Sequence, residues 1–177
     1  MAKLSAHAAI SGDKKLRKFL KRCKQGAFTL DTKKMMFDIG NMHRTRLARN
    51  LKTKTVIQKF QVSFIDADLQ NIAYRARIVE IKMNCFEVLS QLDQYISLLK
   101  KHLKATYAEN MKVGYGTQAD RDALIDSFLE PGLMSKKKLE ATMSYADLVI
   151  LDIDQAGFAL KRIITVMQIA QEKRSSV

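Results

Sequence analysis

Seven lysine and arginine side chains crowd into residues 14–24, and their chemistry suits the binding of phosphate. They are Lys14, Lys15, Arg17, Lys18, Lys21, Arg22 and Lys24. Clustered cations neutralise the phosphates of a polyanion and release its counterions. Lysines in the first turn of a helix oppose its dipole, so their presence at 14 and 15 favours an approaching phosphate. The sequence therefore predicts a phosphate-binding segment here, the alternative being a solvated basic face without a ligand.

A second basic cluster follows between residues 44 and 54. It comprises Arg44, Arg46, Arg49, Lys52 and Lys54. Arginine suits bidentate contact with phosphate, so we add these five residues to the predicted nucleic-acid-binding set. Residues 32–51 also fit a helix-turn-helix template, but poorly, because the charged Arg46 falls where the second helix should bury an apolar residue.

The net charge of the chain lies entirely in its first 60 residues. Residues 1–60 hold 16 Lys and Arg against three Asp, which gives +13, whereas residues 61–177 hold 15 charges of each sign. A strongly basic N-terminal segment followed by a segment without net charge predicts a polyanionic partner. Nucleic acid is the first candidate. An anionic membrane surface is the alternative, because Leu16, Phe19 and Leu20 give the basic helix a short apolar face.

Other chemistries find little support in the sequence. The three histidines have no carboxylate or cysteine at metal-ligand spacing. Three pairs of aspartates are each two residues apart, a spacing that turns side chains away from each other on a helix. These pairs are Asp66/Asp68, Asp120/Asp122 and Asp152/Asp154. We therefore expect no catalytic residue, no metal site, no cofactor and no enzymatic activity.

The elements that must position the basic residues are expected to be helices, because the chain has one proline, seven glycines and nine methionines. Residues 1–12 are expected to be a mobile tail. Asp13 can cap a helix that ends before Gly26, and Asp31 can begin a short helix that stops at Gly40. The helical pattern then breaks at residues 53–57, which predicts a joint.

The body is expected to contain two long helices, at about 63–111 and 136–173, with a short helix at 117–130 and a turn at Pro131–Gly132 between them. Ser63 and Asp66 resemble a capping box at the start of the first. That helix carries two apolar stripes. One stripe is Leu69, Ile72, Ala76, Val79 and Met83; the other is Ile78, Ile81, Cys85, Val88 and Leu92. Two stripes predict a homo-oligomer, because a monomer would expose one of them. The alternative is that the N-terminal helices cover the second stripe within one chain.

Together these patterns predict an all-α fold: a long helical hairpin or bundle at 61–177 with a basic N-terminal helical region at 1–60. The predicted function is sequence-tolerant nucleic-acid binding coupled to self-assembly through the long helices. Accessory factors of replication, recombination or packaging have this profile, as do nucleoid and nucleocapsid proteins. The alternative is a membrane-surface assembly protein. Two unpaired cysteines and the lack of a membrane-length apolar run predict a cytoplasmic protein, or one inside a viral particle or infected cell.

Overall fold

The computed structural model of the chain describes the backbone of residues 2–56 and 61–175, and the side chains of residues 6–47, 66–169 and 172. All secondary structure in these ranges is helical, which confirms the predicted all-α fold with two long helices. The helices are α1 (Ala2–Ser11), α2 (Lys14–Lys24), α3 (Thr32–Val56), α4 (Gln61–Thr106), α5 (Ala108–Gly114) and α6 (Gln118–Ser175).

The chain forms two compact units, and neither is a continuous stretch of sequence. The first unit contains Met1–Thr32 and Asn84–Ala141, and the second contains Lys33–Met83 and Thr142–Val177. Each long helix therefore contributes one part to each unit. The predicted boundary at residue 60 follows the charge of the chain, lies beside residues 57–60 outside the described ranges, and stays a prediction.

The prediction of a mobile tail at residues 1–12 is wrong, because residues 2–11 form α1. Ala6 and Ile10, one helical turn apart, are fully buried. The helix packs against α5, and the ring of His7 lies 4.7 Å from that of Phe128. A helix this short is stabilised mainly by packing rather than by its intrinsic propensity, so a search for local signals misses it.

Asp13 caps α2 as predicted. Its Oδ1 accepts a 2.9 Å hydrogen bond from the backbone N–H of Leu16, and its Oδ2 lies 3.0 Å from Nε2 of His102 and 3.1 Å from the hydroxyl of Tyr107. Burial acts to raise the pKa of Asp13, but these three hydrogen bonds outweigh it and the pKa is lowered. The chain leaves the helix through Gly26, whose φ of 77° favours glycine.

The predicted turn at Pro131–Gly132 is wrong, because α6 continues through both residues. Gly132 instead permits a close contact between helices. A Cβ atom at this position would lie 2.5 Å from Cζ of Phe19 in α2. Phe19 is only 3% exposed, so it has little room to move away. The proline and the glycine therefore lie within the helix where α2 packs against it, and tertiary contact outweighs their local preference for a turn.

Gly40 does not stop a helix either, so the predicted short helix and the basic segment after it are parts of α3. A Cβ atom at Gly40 would lie 3.3 Å from the hydroxyl of Tyr145, which again indicates a close approach. The predicted joint at 53–57 is helical as far as Val56, and residue 57 lies outside the described ranges. The predicted helix 63–111 is instead divided at Tyr107 into α4 and α5.

Thr117 and Asp120 form the predicted capping pair at the start of α6. The backbone N–H of Asp120 donates to Oγ1 of Thr117 at 3.1 Å, and the N–H of Thr117 donates back to Oδ2 of Asp120 at 3.4 Å. At the other long helix, α4 begins at Gln61, two residues before the predicted Ser63, whose side chain lies outside the described ranges.

The two predicted stripes of α4 have opposite environments. Ile78, Cys85 and Leu92 are fully buried. In the second unit this stripe packs against Ile39 of α3 and a row on α6 formed by Ala146, Val149 and Ile153. Along the other stripe, the exposed fractions of three large side chains are 59% for Leu69, 57% for Ile72 and 51% for Met83. The fold of one chain thus leaves this second stripe facing solvent.

We expect Gly132→Ala to lower the free energy of unfolding, because overpacking against Phe19 costs about 1–3 kcal/mol and exceeds the ~1 kcal/mol gain in helix propensity. Gly157→Ala is the matched control, since a Cβ atom there meets nothing within 4 Å. It should stabilise the protein by about 0.5–1 kcal/mol. Chemical denaturation measures both. If the cost of Gly132→Ala is unchanged in a Phe19→Leu background, the proposed contact is not its cause.

We expect Asp13→Ala to destabilise the protein by about 1 kcal/mol through loss of the helix cap. Because the folded-state pKa of Asp13 lies below its ordinary value of 3.8, its contribution is complete above pH 3.8 and is lost as pH falls through the folded-state pKa. Unfolding curves from pH 7 to pH 2 should therefore show the two proteins converging below pH 3.8. A constant difference across this range would contradict the role of the carboxylate.

Candidate nucleic-acid interface

The basic side chains of α2 lie on the side of the helix that faces solvent and along the borders of that side. Leu16 and Phe19 point into the first unit and are 1% and 3% exposed, which fixes the opposite side of the helix toward solvent. Lys14, Lys18, Lys21 and Lys24 are all exposed. The helix contains no acidic residue, and within the described side chains none of its seven cations forms an ion pair with a carboxylate.

The other three cations of α2 make contacts within the first unit. The guanidinium of Arg22 lies 4.6 Å from the ring centre of Tyr95 and 5.3 Å from that of Phe28, and it donates a hydrogen bond to the Tyr95 hydroxyl. Nε of Arg17 donates to the carbonyl of Ser11 at 3.1 Å. Lys15 Nζ lies 3.4 Å from Nδ1 of His102. The four exposed lysines are therefore better placed than these three to meet phosphate.

Arg46, in the second cluster, is buried within the second unit. It is 3% exposed and its Nη2 lies against the Asp152 carboxylate, which is also 3.0 Å from Nε2 of His43. Burial lowers the pKa of Arg46. Burial also lowers the pKa of His43, and the charge of Arg46 lowers it further. In this conformation Arg46 is engaged by a carboxylate rather than presented to phosphate, a contact that its sequence neighbours do not reveal.

The remaining members of the second cluster lie along α3. Arg44 is exposed, and its Nη2 donates to Oδ1 of Asn41 at 2.7 Å. The side chains of Arg49, Lys52 and Lys54 lie outside the described ranges. Two further exposed lysines at the start of α3, Lys33 and Lys34, were not in the predicted set. The two predicted clusters belong to different compact units.

Ion pairs between α4 and α6 bring many of the opposite charges of residues 61–177 close together. In the first unit the N–O distances are 2.5 Å for Lys100–Asp126, 2.6 Å for Lys104–Asp122 and 2.7 Å for Lys136–Asp93. Exposed pairs of this kind add only about 0–1 kcal/mol each to stability. They do place negative charge beside the cations of the body, and this local neutralisation is what α2 lacks.

The second unit contains similar pairs. Lys82 lies 2.6 Å from Asp147, and Arg75 lies 2.7 Å from Asp154. Asp152 and Asp154 thus have different partners, as their two-residue spacing on a helix predicted. Their divergence is consistent with a structural role for both carboxylates.

Lysines also line a cleft of about 410 Å³ in the first unit. Lys100, Lys101 and Lys104 come from α4, and Lys136 comes from α6. The hydrogen bond with Asp93 raises the pKa of Lys136, against the effect of its partial burial. This group is not in the predicted site because it belongs to residues 61–177, which have no net charge. Its one sequence signal is the placement of three lysines within five residues of a helix.

Neither a metal-binding cluster nor a membrane-spanning helix occurs among the described residues. No three His, Cys, Asp or Glu side chains there lie close enough together to hold a metal ion. Within the same ranges, every helix is either too short or too polar to cross a bilayer.

Comparisons with known proteins add no functional assignment. No family model, no curated protein and no solved structure matches the chain. The function proposed below therefore rests on the charge, burial and contacts of this chain's own side chains.

Proposed function

We propose that the protein binds nucleic acid through the phosphate backbone, with little regard to base sequence, and that copies of it assemble through α4. The observation that carries the binding proposal is the set of four exposed lysines on α2, none of which forms an ion pair with a carboxylate among the described side chains. A role as an accessory factor in replication, recombination or packaging, or as a nucleoid or nucleocapsid protein, fits this combination of charge and helical body.

Several features of α2 support contact with phosphates rather than with bases. A lysine ammonium is a point charge with rotatable donors and carries little geometric specificity. Phosphate contacts position a protein on nucleic acid, whereas contacts with base edges provide specificity. Of the aromatic rings near the basic face, Phe19 and Phe28 are buried in the first unit, and Tyr95, which is 41% exposed, is already stacked with the guanidinium of Arg22. Binding by this face should therefore tolerate many sequences.

Burial of the apolar side of α2 favours nucleic acid over the membrane alternative. An interfacial helix inserts its apolar face into the lipid. Two of the three apolar groups of that face, Leu16 and Phe19, are already in contact with the protein core. Membrane insertion would require them to leave that core, whereas the lysines can reach a phosphate without any rearrangement.

We expect the affinity for double-stranded DNA to fall about a hundredfold between 50 and 200 mM salt. Four lysine–phosphate contacts give a slope of about −0.9 each in a plot of log affinity against log salt, or roughly −3.6 in total. Fluorescence anisotropy with labelled oligomers of unrelated sequence measures this slope. Salt-insensitive binding, or binding to vesicles of anionic phospholipid but to no DNA or RNA, would overturn the proposal.

Substituting the four exposed lysines of α2 by glutamine should reduce the salt slope by about 3.6 and weaken binding accordingly. The matched control changes four exposed lysines elsewhere to glutamine and so has the same net charge: Lys112, Lys137, Lys138 and Lys161. Substitution is preferable to deletion of residues 1–60, because that segment supplies Phe19 to one core and Ile39 to the other. An equal loss in both variants would show that α2 is not the binding face.

A further inference from the structure

The exposed stripe of α4 has the spacing of a coiled-coil seam. Leu69, Ile72, Ala76, Val79 and Met83 follow one another at intervals of 3, 4, 3 and 4 residues. This spacing assigns Leu69, Ala76 and Met83 to the a positions of a heptad repeat, and the other two to the d positions. The stripe lies on the opposite side of the helix from the buried residues Ile78 and Ile81. We call these five residues the outer seam.

Between residues 75 and 87, the charged residues on the two flanks of the outer seam have opposite signs; the earlier g position holds Asp68, which in a parallel pair would face the uncharged Ala73. The g positions on one flank include Arg75 and Lys82, whose side chains are 47% and 33% exposed. The e positions on the other flank include Glu80, which is 58% exposed, and Glu87, which is also exposed. Over residues 75–87, one edge of the seam is thus basic and the other acidic.

This charge pattern selects the orientation of a second copy. In a parallel, in-register coiled coil, each g residue approaches the e residue five positions later in the partner helix. Arg75 then faces Glu80 of the other copy, and Lys82 faces Glu87. In an antiparallel coiled coil, g residues face g residues and e residues face e residues, so like charges would oppose each other on both edges.

We propose that copies of this chain associate through the outer seam with their α4 helices parallel and in register. This inference rests on the self-assembly part of the proposed function and is independent of nucleic-acid binding. The existing ion pairs do not prevent it. Arg75 and Lys82 pair with Asp154 and Asp147 of the same chain, but guanidinium and ammonium groups have further donors for a glutamate of another copy. Glu80 accepts a hydrogen bond from Arg77, and its carboxylate has further acceptor sites.

Sedimentation equilibrium on the full-length protein tests whether the seam mediates association. We expect an oligomer at micromolar concentration, and a dissociation constant raised at least about a hundredfold by Ile72→Glu. Leu98→Glu is the control, because Leu98 is 67% exposed on the same helix but lies off the seam. β-Branched residues at the d positions favour more than two strands, so the same run gives the number of copies. A wild-type monomer, or equal effects of both substitutions, would overturn the proposal.

Disulfide cross-linking tests the orientation. Leu69→Cys, in a background with Cys23→Ser, should form a covalent dimer on mild oxidation, because equivalent a positions face each other in a parallel arrangement. Leu98→Cys in the same background controls for random collision. In an antiparallel seam a positions face d positions, so cross-linking of Leu69→Cys only when mixed with Val79→Cys would demonstrate that arrangement and overturn the proposal.

Reversal of the acidic flank tests the charge pairing separately. The double substitution Glu80→Lys and Glu87→Lys makes both edges basic and should weaken association about tenfold or more at low salt, with recovery as salt screens the repulsion. An unchanged dissociation constant would refute the charge argument. DNA binding is also measured on the Ile72→Glu variant, so that the two proposals can fail separately. If the wild-type protein is a monomer and still binds DNA with the expected salt dependence, only the proposal of parallel association is wrong.

Discussion

Burial of one apolar stripe along α4 is the interaction on which the remaining structure depends. Ile78, Cys85, Leu92 and Leu103 lie on it with no exposed surface. Burying an aliphatic side chain of this size contributes about 1.5–3 kcal/mol, whereas an exposed ion pair contributes about 0–1 kcal/mol. The packing against α4 is therefore held mainly by apolar contacts, while the lysine–aspartate pairs between α4 and α6 determine where the surface is neutral.

The same packing explains why α2 presents its charge outward. Asp13 anchors the first turn of the helix to His102 and Tyr107, and Phe19 anchors its middle against Gly132. With one side held in this way, the lysines can occupy only the solvent side. A rigid helix loses less conformational entropy on binding than a flexible arm does, so each phosphate contact of the proposed interface would contribute more to affinity.

Features set by neighbouring residues were predictable from the sequence, and features set by distant contacts were not. The Asp13 cap, the Thr117 cap and the two apolar stripes of α4 are local sequence patterns, and the structure contains all three. Gly40 and Pro131–Gly132 resemble breaks, but each lies where another helix approaches closely. The sequence around Arg46 predicts a phosphate ligand, but it cannot reveal the contact with Asp152, which lies more than 100 residues later in the chain. The net charge of each segment can be counted in the sequence, whereas the partner of each charged side chain is known only from the fold.

The interleaving of the two units constrains how the chain folds during synthesis. The first unit needs both residues 1–32 and residues 84–141, so Phe19 cannot reach Gly132 until most of the chain has been made. At a synthesis rate of about 5–20 residues per second, the basic helix spends roughly 5–20 s on the ribosome without its partner. Its apolar side is uncovered during that interval beside a dense array of cations. The nascent chain therefore passes through a state that exposes apolar surface and a high positive charge close to ribosomal RNA.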